Sequence, residues 1–161
     1  MSAAAALAGG LVWLVAAGAA QAVEMRPILT MEVSRIMADA CIAKAEEEGW
    51  RMHIAVVDIG GNLKYYTRMD DSILLSQDIS IKKARTSASF PGATKAFGQF
   101  AFDEKGPTAL AFIDGIIMFE GGLPIMVGDV HVGGIGVSGG SGEQDGMCAQ
   151  AGLDAAAGML Q

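Results

Sequence analysis

Residues 53–69 read HIAVVDIGGNLKYYTRM and carry the clearest structural pattern of the chain. Its first part, His53 to Asp58, contains the β-branched residues that favour strands. Gly60-Gly61-Asn62 supplies turn residues, and a second run follows from Leu63 to Met69. Two such runs around a glycine-rich turn predict a β-hairpin.

Helical patterns flank this hairpin on both sides. Upstream, apolar residues recur at helical spacing between Thr30, a good N-cap, and Gly49, which predicts a helix over residues 31–48. Downstream, residues 73–89 return to helical spacing until a Pro-Gly pair, and a shorter helical stretch covers about 94–102. The hairpin therefore lies between helices.

Short apolar runs separated by glycines fill the second half of the chain. They predict strands at Ile116–Phe119, Leu123–Val127 and Val130–Val137. Ser141 then begins a final helix, in which Gln144 completes a capping box. The resulting order predicts an α+β domain with a five-stranded antiparallel sheet flanked by helices, and no repeat or second domain interrupts it.

Composition and charge exclude several function classes. The 161 residues are 52% hydrophobic and carry a net charge of −7, with no stripe of Lys and Arg, so we expect no nucleic-acid partner. Gly134-Ile135-Gly136 lies inside a predicted strand and does not open a helix, so we expect no nucleotide cofactor. The two separated histidines, without a Cys/His cluster, argue against a structural zinc site.

Residues 1–22 resemble a secretory signal peptide. Ala3 to Ala19 is an almost unbroken apolar run, and Ala20-Gln21-Ala22 supplies a small-x-small cleavage pattern. No Lys or Arg precedes the run, and its length approaches the ~20 residues that span a bilayer, so an uncleaved anchor is the alternative. We expect cleavage, a mature domain of residues 23–161 without a membrane attachment, and a periplasmic or secreted protein.

Several motifs resemble one known family, in that family's order. They are Ile54–Gly61, Lys83-Ala84-Arg85-Thr86, Glu120–Ile125, Val132–Gly139 and Glu143-Gln144-Asp145. On these motifs the chain is similar, from about residue 28 to its C-terminus, to the GlcG/HbpS-like group, which includes the C-terminal domain of PduO-type proteins. The resemblance implies a profilin-like fold, a homo-oligomer and, as in several members, haem binding for haem carriage, uptake or breakdown.

The side chains that could ligate haem iron are few. Haem iron takes His, Met, Cys or Tyr as an axial ligand. The only histidines are His53 and His131, each near the start of a predicted strand, and both are candidate iron ligands. The alternative for each is a hydrogen-bonded strand-end residue. Most of the ten methionines are expected to fill the core, although Met can also act as a weak axial ligand.

Two further features suggest a ligand site. Lys82 and Arg85 are three residues apart and share a helix face, so they could clamp a carboxylate of haem or of a small organic acid. The alternative is a surface ion pair with Asp78. Gly122 and Gly139 lie in glycine-rich turns, where backbone without a Cβ would let a ligand or a neighbouring subunit approach.

Two other functions stay open at this point. An enzyme of the lyase or isomerase type would use Glu143 and Asp145, or His53, for proton transfer. Acidic residues in the first turn of a helix are also what the helix dipole favours, so capping explains them equally. The third possibility is a non-catalytic ligand-sensing or assembly module.

Cys41 and Cys148 are the only cysteines. If the fold is profilin-like, as the resemblance implies, the first and last helices lie side by side. A disulfide then becomes possible, provided that the two Cα atoms come within about 7 Å. The alternative is a pair of buried, inert thiols.

Overall fold

The computed structural model describes residues 24–161, so the predicted signal peptide lies outside the described residues. Its helices and strands, in chain order, are α1 (Met31–Glu48), β1 (His53–Asp58), β2 (Leu63–Arg68), α2 (Leu75–Ser89), α3 (Thr94–Phe102), β3 (Gly122–Val127), β4 (Val130–Ser138) and α4 (Gly142–Ala156). Short 3-10 helices add Thr108–Phe112 and Ala157–Met159.

The described strands form one antiparallel sheet in the order β2-β1-β4-β3. The predicted α+β class, an antiparallel sheet flanked by helices, is confirmed, but the predicted count of five strands is wrong. Residues 116–119 form no strand because the N–H of Ile117 donates to Oγ1 of Thr86 on α2 at 3.0 Å. The carbonyl of Met118 lies against Gly98 of α3. This segment therefore contacts helices instead of a neighbouring strand.

The long helices begin and end on local signals. Thr30 accepts a hydrogen bond from the N–H of Val33 at 3.2 Å and caps α1. Gly49 ends α1 with a φ of 75°, a left-handed conformation that glycine adopts without strain. Ser141 and Gln144 form the predicted capping box at the start of α4.

α1 and α4 cover one face of the sheet with an apolar core. Its fully buried side chains include Met37, Met52, Ile54, Val56, Ile135 and Val137. A disulfide joins Cys41 on α1 to Cys148 on α4, with 4.7 Å between the Cα atoms. The two helices are thus held together by both packing and a covalent bond.

α2 covers the opposite face, and small residues bring it close. A Cβ at Gly136 would overlap the carbonyl oxygen of Ser80 and the nitrogen of Ala84, so the helix backbone packs directly on β4. Several polar residues of α2 are buried by this approach, namely Ser76, Ser80, Lys83, Thr86 and Ser87. Within residues 24–161, the helices are too short or too polar to cross a membrane.

Candidate functional site

A buried ion pair lies between α2 and α4. Nζ of Lys83 donates to Oδ2 of Asp145 at 2.7 Å and to the carbonyl of Val137 at 3.0 Å, and neither charged side chain is more than 4% exposed. The ring centroid of Phe119 lies 4.8 Å from the ammonium, within cation–π range. Oδ1 of Asp145 accepts from the N–H of Gly140 at 3.0 Å. The pair therefore ties β4, α2 and the turn before α4 together.

Burial acts against both charges of this pair. It lowers the pKa of Lys83 and raises the pKa of Asp145, while the attraction between the two groups opposes each shift. Because every contact of the pair is satisfied within the protein, the arrangement is that of a structural ion pair. Asp145, a predicted proton-transfer group, is committed to Lys83.

Glu143, the other predicted acid–base residue, does not join this pair. Its side chain is exposed, two positions before the buried Asp145 on the same helix. The structure therefore does not bring Glu143 and Asp145 into one site. Sequence reasoning missed Lys83 as a site residue, although it shares the sheet-facing helical spacing of Ser76, Ser80 and Ser87.

His53 is fully buried at the start of β1 and uses both ring nitrogens. Nδ1 lies 2.6 Å from Oη of Tyr66, and Nε2 lies 2.9 Å from Oγ of Ser72. Oγ of Ser72 also donates to the carbonyl of Met69 at 2.6 Å, so it has a lone pair with which to accept from His53.

The environment of His53 favours its neutral form. Burial lowers the pKa of the imidazole, a hydrogen bond with the backbone of Ile73 opposes this shift, and the positive charge of Arg68 lowers the pKa further.

His131 lies at the other end of the sheet. Its Nε2 is 2.9 Å from the carbonyl of Gly133, and the side chain is half-buried. His53 pairs in register with Ser138, at the far end of β4 from His131. The two predicted iron ligands therefore cannot bind one iron together within a single chain. In the described part of the chain, no cluster of three or more His, Cys, Asp or Glu side chains could hold a metal ion.

An apolar groove, the α2 groove, lies at the start of α2. It has a volume of about 450 Å³ and is lined by Leu74, Leu75, Gln77, Asp78 and Ile81. Leu74 and Leu75 are 76% and 67% exposed, so large apolar side chains face solvent here. Such exposure on one side of a helix is typical of a binding surface.

Lys82 and Arg85 follow the α2 groove along the outer side of the same helix. Lys82 pairs with Asp78 at 2.7 Å, which is the surface ion pair considered as the alternative. The exposed Arg85 donates from Nε to the carbonyl of Gly61 at 3.1 Å and, among residues 24–161, pairs with no carboxylate. One guanidinium is therefore available to an acidic ligand, four residues after Ile81.

Gly122 and Gly139 serve internal packing. A Cβ at Gly122 would overlap Thr94 and the carbonyl of Lys83, and a Cβ at Gly139 would overlap the carbonyl of Arg51. The space beside each glycine is thus filled by the chain itself. In this structure the close approach at both glycines is made by the chain's own backbone and side chains.

Several solved structures share the fold of this chain. The crystal structure of Klebsiella pneumoniae protein ORFY matches with a TM-score of 0.82 at 32% identity, covering 87% of this chain and 98% of ORFY. The crystal structure of a PduOC–haem complex matches with a TM-score of 0.74 at 25% identity, covering 80% of this chain and 95% of that one. Residues 24–161 therefore have the α+β fold of the class to which these structures belong.

Sequence comparison narrows this class. The family described as haem degrading protein HbpS-like matches residues 29–154. Protein GlcG of Escherichia coli strain K12 is 38% identical over 110 residues, which cover 66% of this chain and 81% of GlcG. The chain belongs to the HbpS-like family, and the resemblance to the GlcG/HbpS group is confirmed.

Proposed function

We propose that this protein binds haem in the α2 groove. The observation that carries the proposal is the layout of one helix side, where Arg85, which among residues 24–161 pairs with no carboxylate, follows the last groove residue Ile81 by one helical turn. Haem has the matching layout, with an apolar macrocycle and two propionates at one edge. The family description and the haem complex of the related PduOC domain support the same ligand.

The residues present fit haem chemically. Leu74, Leu75 and Ile81 would contact the macrocycle, since apolar side chains line most cofactor pockets. Arg85 would hold a propionate by charge-assisted hydrogen bonds, and Lys82 could add a second cation by leaving Asp78. When bound, haem supplies the iron centre. The chain's own residues bind the group, orient it and shield one of its faces from water.

A haemin titration of the purified protein tests the proposal. We expect a Soret band that saturates near one haem per chain and weakens in Arg85→Gln. Loss of one charge-assisted contact, about 1.4 kcal/mol, corresponds to about tenfold in affinity. Leu74→Asp, which places a charge in the groove, should weaken binding at least as much.

The matched control is Arg35→Gln, because Arg35 is also exposed but lies on α1 and pairs with Asp39. It should bind haemin as the unchanged protein does. Absence of a saturable Soret change at stoichiometric haemin would reject haem binding. Saturable binding that neither groove variant weakens would reject this groove as the site. Competition by small organic acids would show that Arg85 and Lys82 also bind carboxylates other than propionates.

We further propose that the protein is exported and acts in haem carriage, uptake or breakdown outside the cytoplasm. The signal-like residues 1–22 support export, and so does the Cys41–Cys148 disulfide, because disulfides persist in oxidising compartments. Recovery of a periplasmic or secreted form would support this proposal if its measured mass equals that of a chain beginning at Val23. A full-length form confined to the cytoplasm would reject it.

We also propose a homo-oligomer. Large apolar side chains are exposed on the described surface, among them Ile73 at 61%, Phe102 at 61% and Phe112 at 88%. Burying them against another copy would remove this apolar surface from water. A native mass equal to one chain at micromolar concentration would contradict the proposal.

A further inference from the structure

We propose that the α2 groove recognises the porphyrin ring and its carboxylates, and that the protein does not ligate the metal at the centre of the ring. The inference rests on the proposed haem binding and names the ligand class of that site. This class is porphyrins with acidic side chains, whether the ring holds iron, another metal or no metal. It departs from the expectation that His53 or His131 ligates the iron.

The lining of the α2 groove offers contacts to a ring but no usual ligand to iron. Leu74, Leu75 and Ile81 present hydrocarbon, and the polar members of the lining are Gln77 and Asp78. Proteins hold haem iron with the side chains of His, Cys, Met or Tyr. None of the described residues that line the groove is of these types. The lining therefore matches the macrocycle of haem and not its iron.

The charged member of the lining, Asp78, already has a partner. Its Oδ2 accepts from Nζ of Lys82 at 2.7 Å. A carboxylate is also not among the usual axial ligands of haem. Asp78 therefore acts on the site through the cation beside it, and its removal should affect all acidic porphyrins alike.

Side chains of the ligating types that lie on the α2 face are engaged within the protein. His53 is fully buried, with Nδ1 at 2.6 Å from Oη of Tyr66 and Nε2 at 2.9 Å from Oγ of Ser72. The first of these contacts also engages Tyr66, which packs on this face. Met118 packs against Gly98 of α3. Each of these side chains would have to leave a contact in order to reach an iron.

Other side chains of the ligating types lie away from the α2 groove. Cys41 and Cys148 are joined in the disulfide between α1 and α4. Met31 and Met147 are exposed, but they belong to α1 and α4, which cover the opposite face of the sheet. His131 contacts the carbonyl of a residue in its own strand. The sheet therefore separates the exposed methionines of these two helices from the groove.

Apolar contact and one charge contact remain to bind the ligand. Leu74 and Leu75 are largely exposed, so a flat ring that covers them removes apolar surface from water. Arg85 pairs with no carboxylate among residues 24–161, so it can hold a carboxylate of the ring. The ring and its side chains make both contacts. A porphyrin without metal should therefore bind as tightly as haem.

The experiment compares the affinities of the full chain for haemin, metal-free protoporphyrin IX and protoporphyrin IX dimethyl ester. Absorbance measures haemin binding, and fluorescence at submicromolar concentration measures the other two. Because iron adds no contact, the dissociation constants of haemin and protoporphyrin IX should agree within about threefold. The ester carries no carboxylate and should bind about tenfold more weakly, the effect of losing one charge-assisted contact.

Variants separate ring recognition from metal ligation. Leu74→Asp should weaken haemin and protoporphyrin IX by the same factor. Arg85→Gln should weaken both acids by about tenfold and leave the affinity for the ester unchanged, because the ester makes no contact with the guanidinium charge. Asp78→Asn and His53→Gln should leave the ratio of the haemin and protoporphyrin affinities unchanged, as should the matched control His131→Gln.

The electron paramagnetic resonance spectrum of bound haemin gives an independent readout. In the unchanged protein it should be that of high-spin ferric iron, without the low-spin signature of nitrogen or sulfur ligation. The main comparison uses the unchanged protein, so it does not depend on whether a variant folds. Melting of each ligand-free variant shows which variants enter the comparison.

The two proposals fail differently. If haemin binds more than about tenfold more tightly than protoporphyrin IX, or if its spectrum shows nitrogen or sulfur ligation, the inference is overturned and haem binding stands. Equal affinities for the ester and the free acid would overturn the role of the carboxylates. If no haemin is taken up, both proposals are rejected.

Discussion

The two faces of the sheet are built on different principles. The face under α1 and α4 is packed by large apolar side chains and joined by a disulfide. The face under α2 is packed by glycine, alanine and serine, and it contains the buried groups Lys83 and His53. One face stabilises the domain through apolar area, whereas the other holds polar groups in fixed positions by close backbone contact.

The two faces differ in how they tolerate a change at a single residue. Apolar packing on the α1/α4 face is redundant, because several large side chains share one cluster. The α2 face instead depends on small residues whose close backbone contacts fix the position of the helix.

Substitution of Gly136, on the α2 face, should lower the free energy of unfolding more than any other change considered. A Cβ in Gly136→Ala would overlap backbone atoms of Ser80 and Ala84, so α2 must move from the sheet, and we expect a loss of about 4 kcal/mol or more. The neighbouring change Ile135→Val, on the other face, should cost about 0.5–1.5 kcal/mol. Denaturant unfolding measures both values.

Gly158→Ala is the control for adding a methyl group, because nothing lies within 4 Å of a Cβ there. Its stability should stay within about 0.5 kcal/mol of the unchanged protein. A similar small cost for Gly136→Ala would mean that α2 does not pack as closely as described.

Breaking the buried ion pair should cause the second-largest loss of unfolding free energy. Lys83→Ala leaves the carboxylate of Asp145 buried without its partner, which typically costs about 3–5 kcal/mol. The double variant Lys83→Met with Asp145→Leu removes both charges and should regain most of that loss. Lys82→Ala, one position earlier, breaks only an exposed pair and should cost about 0.5 kcal/mol or less.

These three unfolding curves distinguish a buried charge pair from a general requirement for lysine on α2. Equal losses for Lys82→Ala and Lys83→Ala would contradict the described burial of Lys83.

Loss of the disulfide should destabilise the other face by a slightly smaller amount. Cys41 and Cys148 are 107 positions apart, and cross-links that close long loops typically contribute about 2–4 kcal/mol. We therefore expect Cys41→Ala with Cys148→Ala to unfold at a lower denaturant midpoint, and reductant to lower the midpoint of the unchanged protein only. If reductant leaves the unchanged protein's midpoint where it was, the cross-link does not contribute.

The smallest effect expected is the pH dependence due to His53. Burial lowers its pKa below the ordinary 6.5, so the unfolded chain takes up a proton first as the pH falls. The stability due to neutral His53 is complete above pH 6.5 and is lost as the pH falls from there towards the folded-state pKa. We expect the unfolding free energy to fall more steeply between pH 7 and 5.5 in the unchanged protein than in His53→Gln.

Parallel pH profiles for the unchanged protein and His53→Gln would show that burial of His53 does not affect stability.

Local signals in the sequence predicted most of the fold. Thr30, Gly49 and Ser141 act within a few residues of themselves, so the ends of helices could be predicted from neighbouring sequence. The strand predicted at 116–119 was wrong because its backbone partner is Thr86 on α2, thirty-one residues away. The sequence of a short apolar run does not indicate whether its backbone N–H groups will donate to a strand or to a helix.

The site was less predictable than the fold. The spacing of Lys82 and Arg85 predicted that they share a helix face. The position of Asp78, four residues before Lys82, predicted the ion pair that the two residues form. Lys83 is a site residue because it pairs with Asp145, which is sixty-two positions away in the sequence. The two side chains meet only in the folded structure. Likewise, no local pattern brings Ser72 to His53.

The link between Cys41 and Cys148 has a consequence for handling the protein. Every turn of the sheet, both ends of α2 and the long segment before β3 lie between these two positions. A protease that cuts once anywhere in that interval therefore yields two fragments that still migrate as one species without reductant. Nicked and intact protein can be told apart on a gel only after the cystine has been reduced.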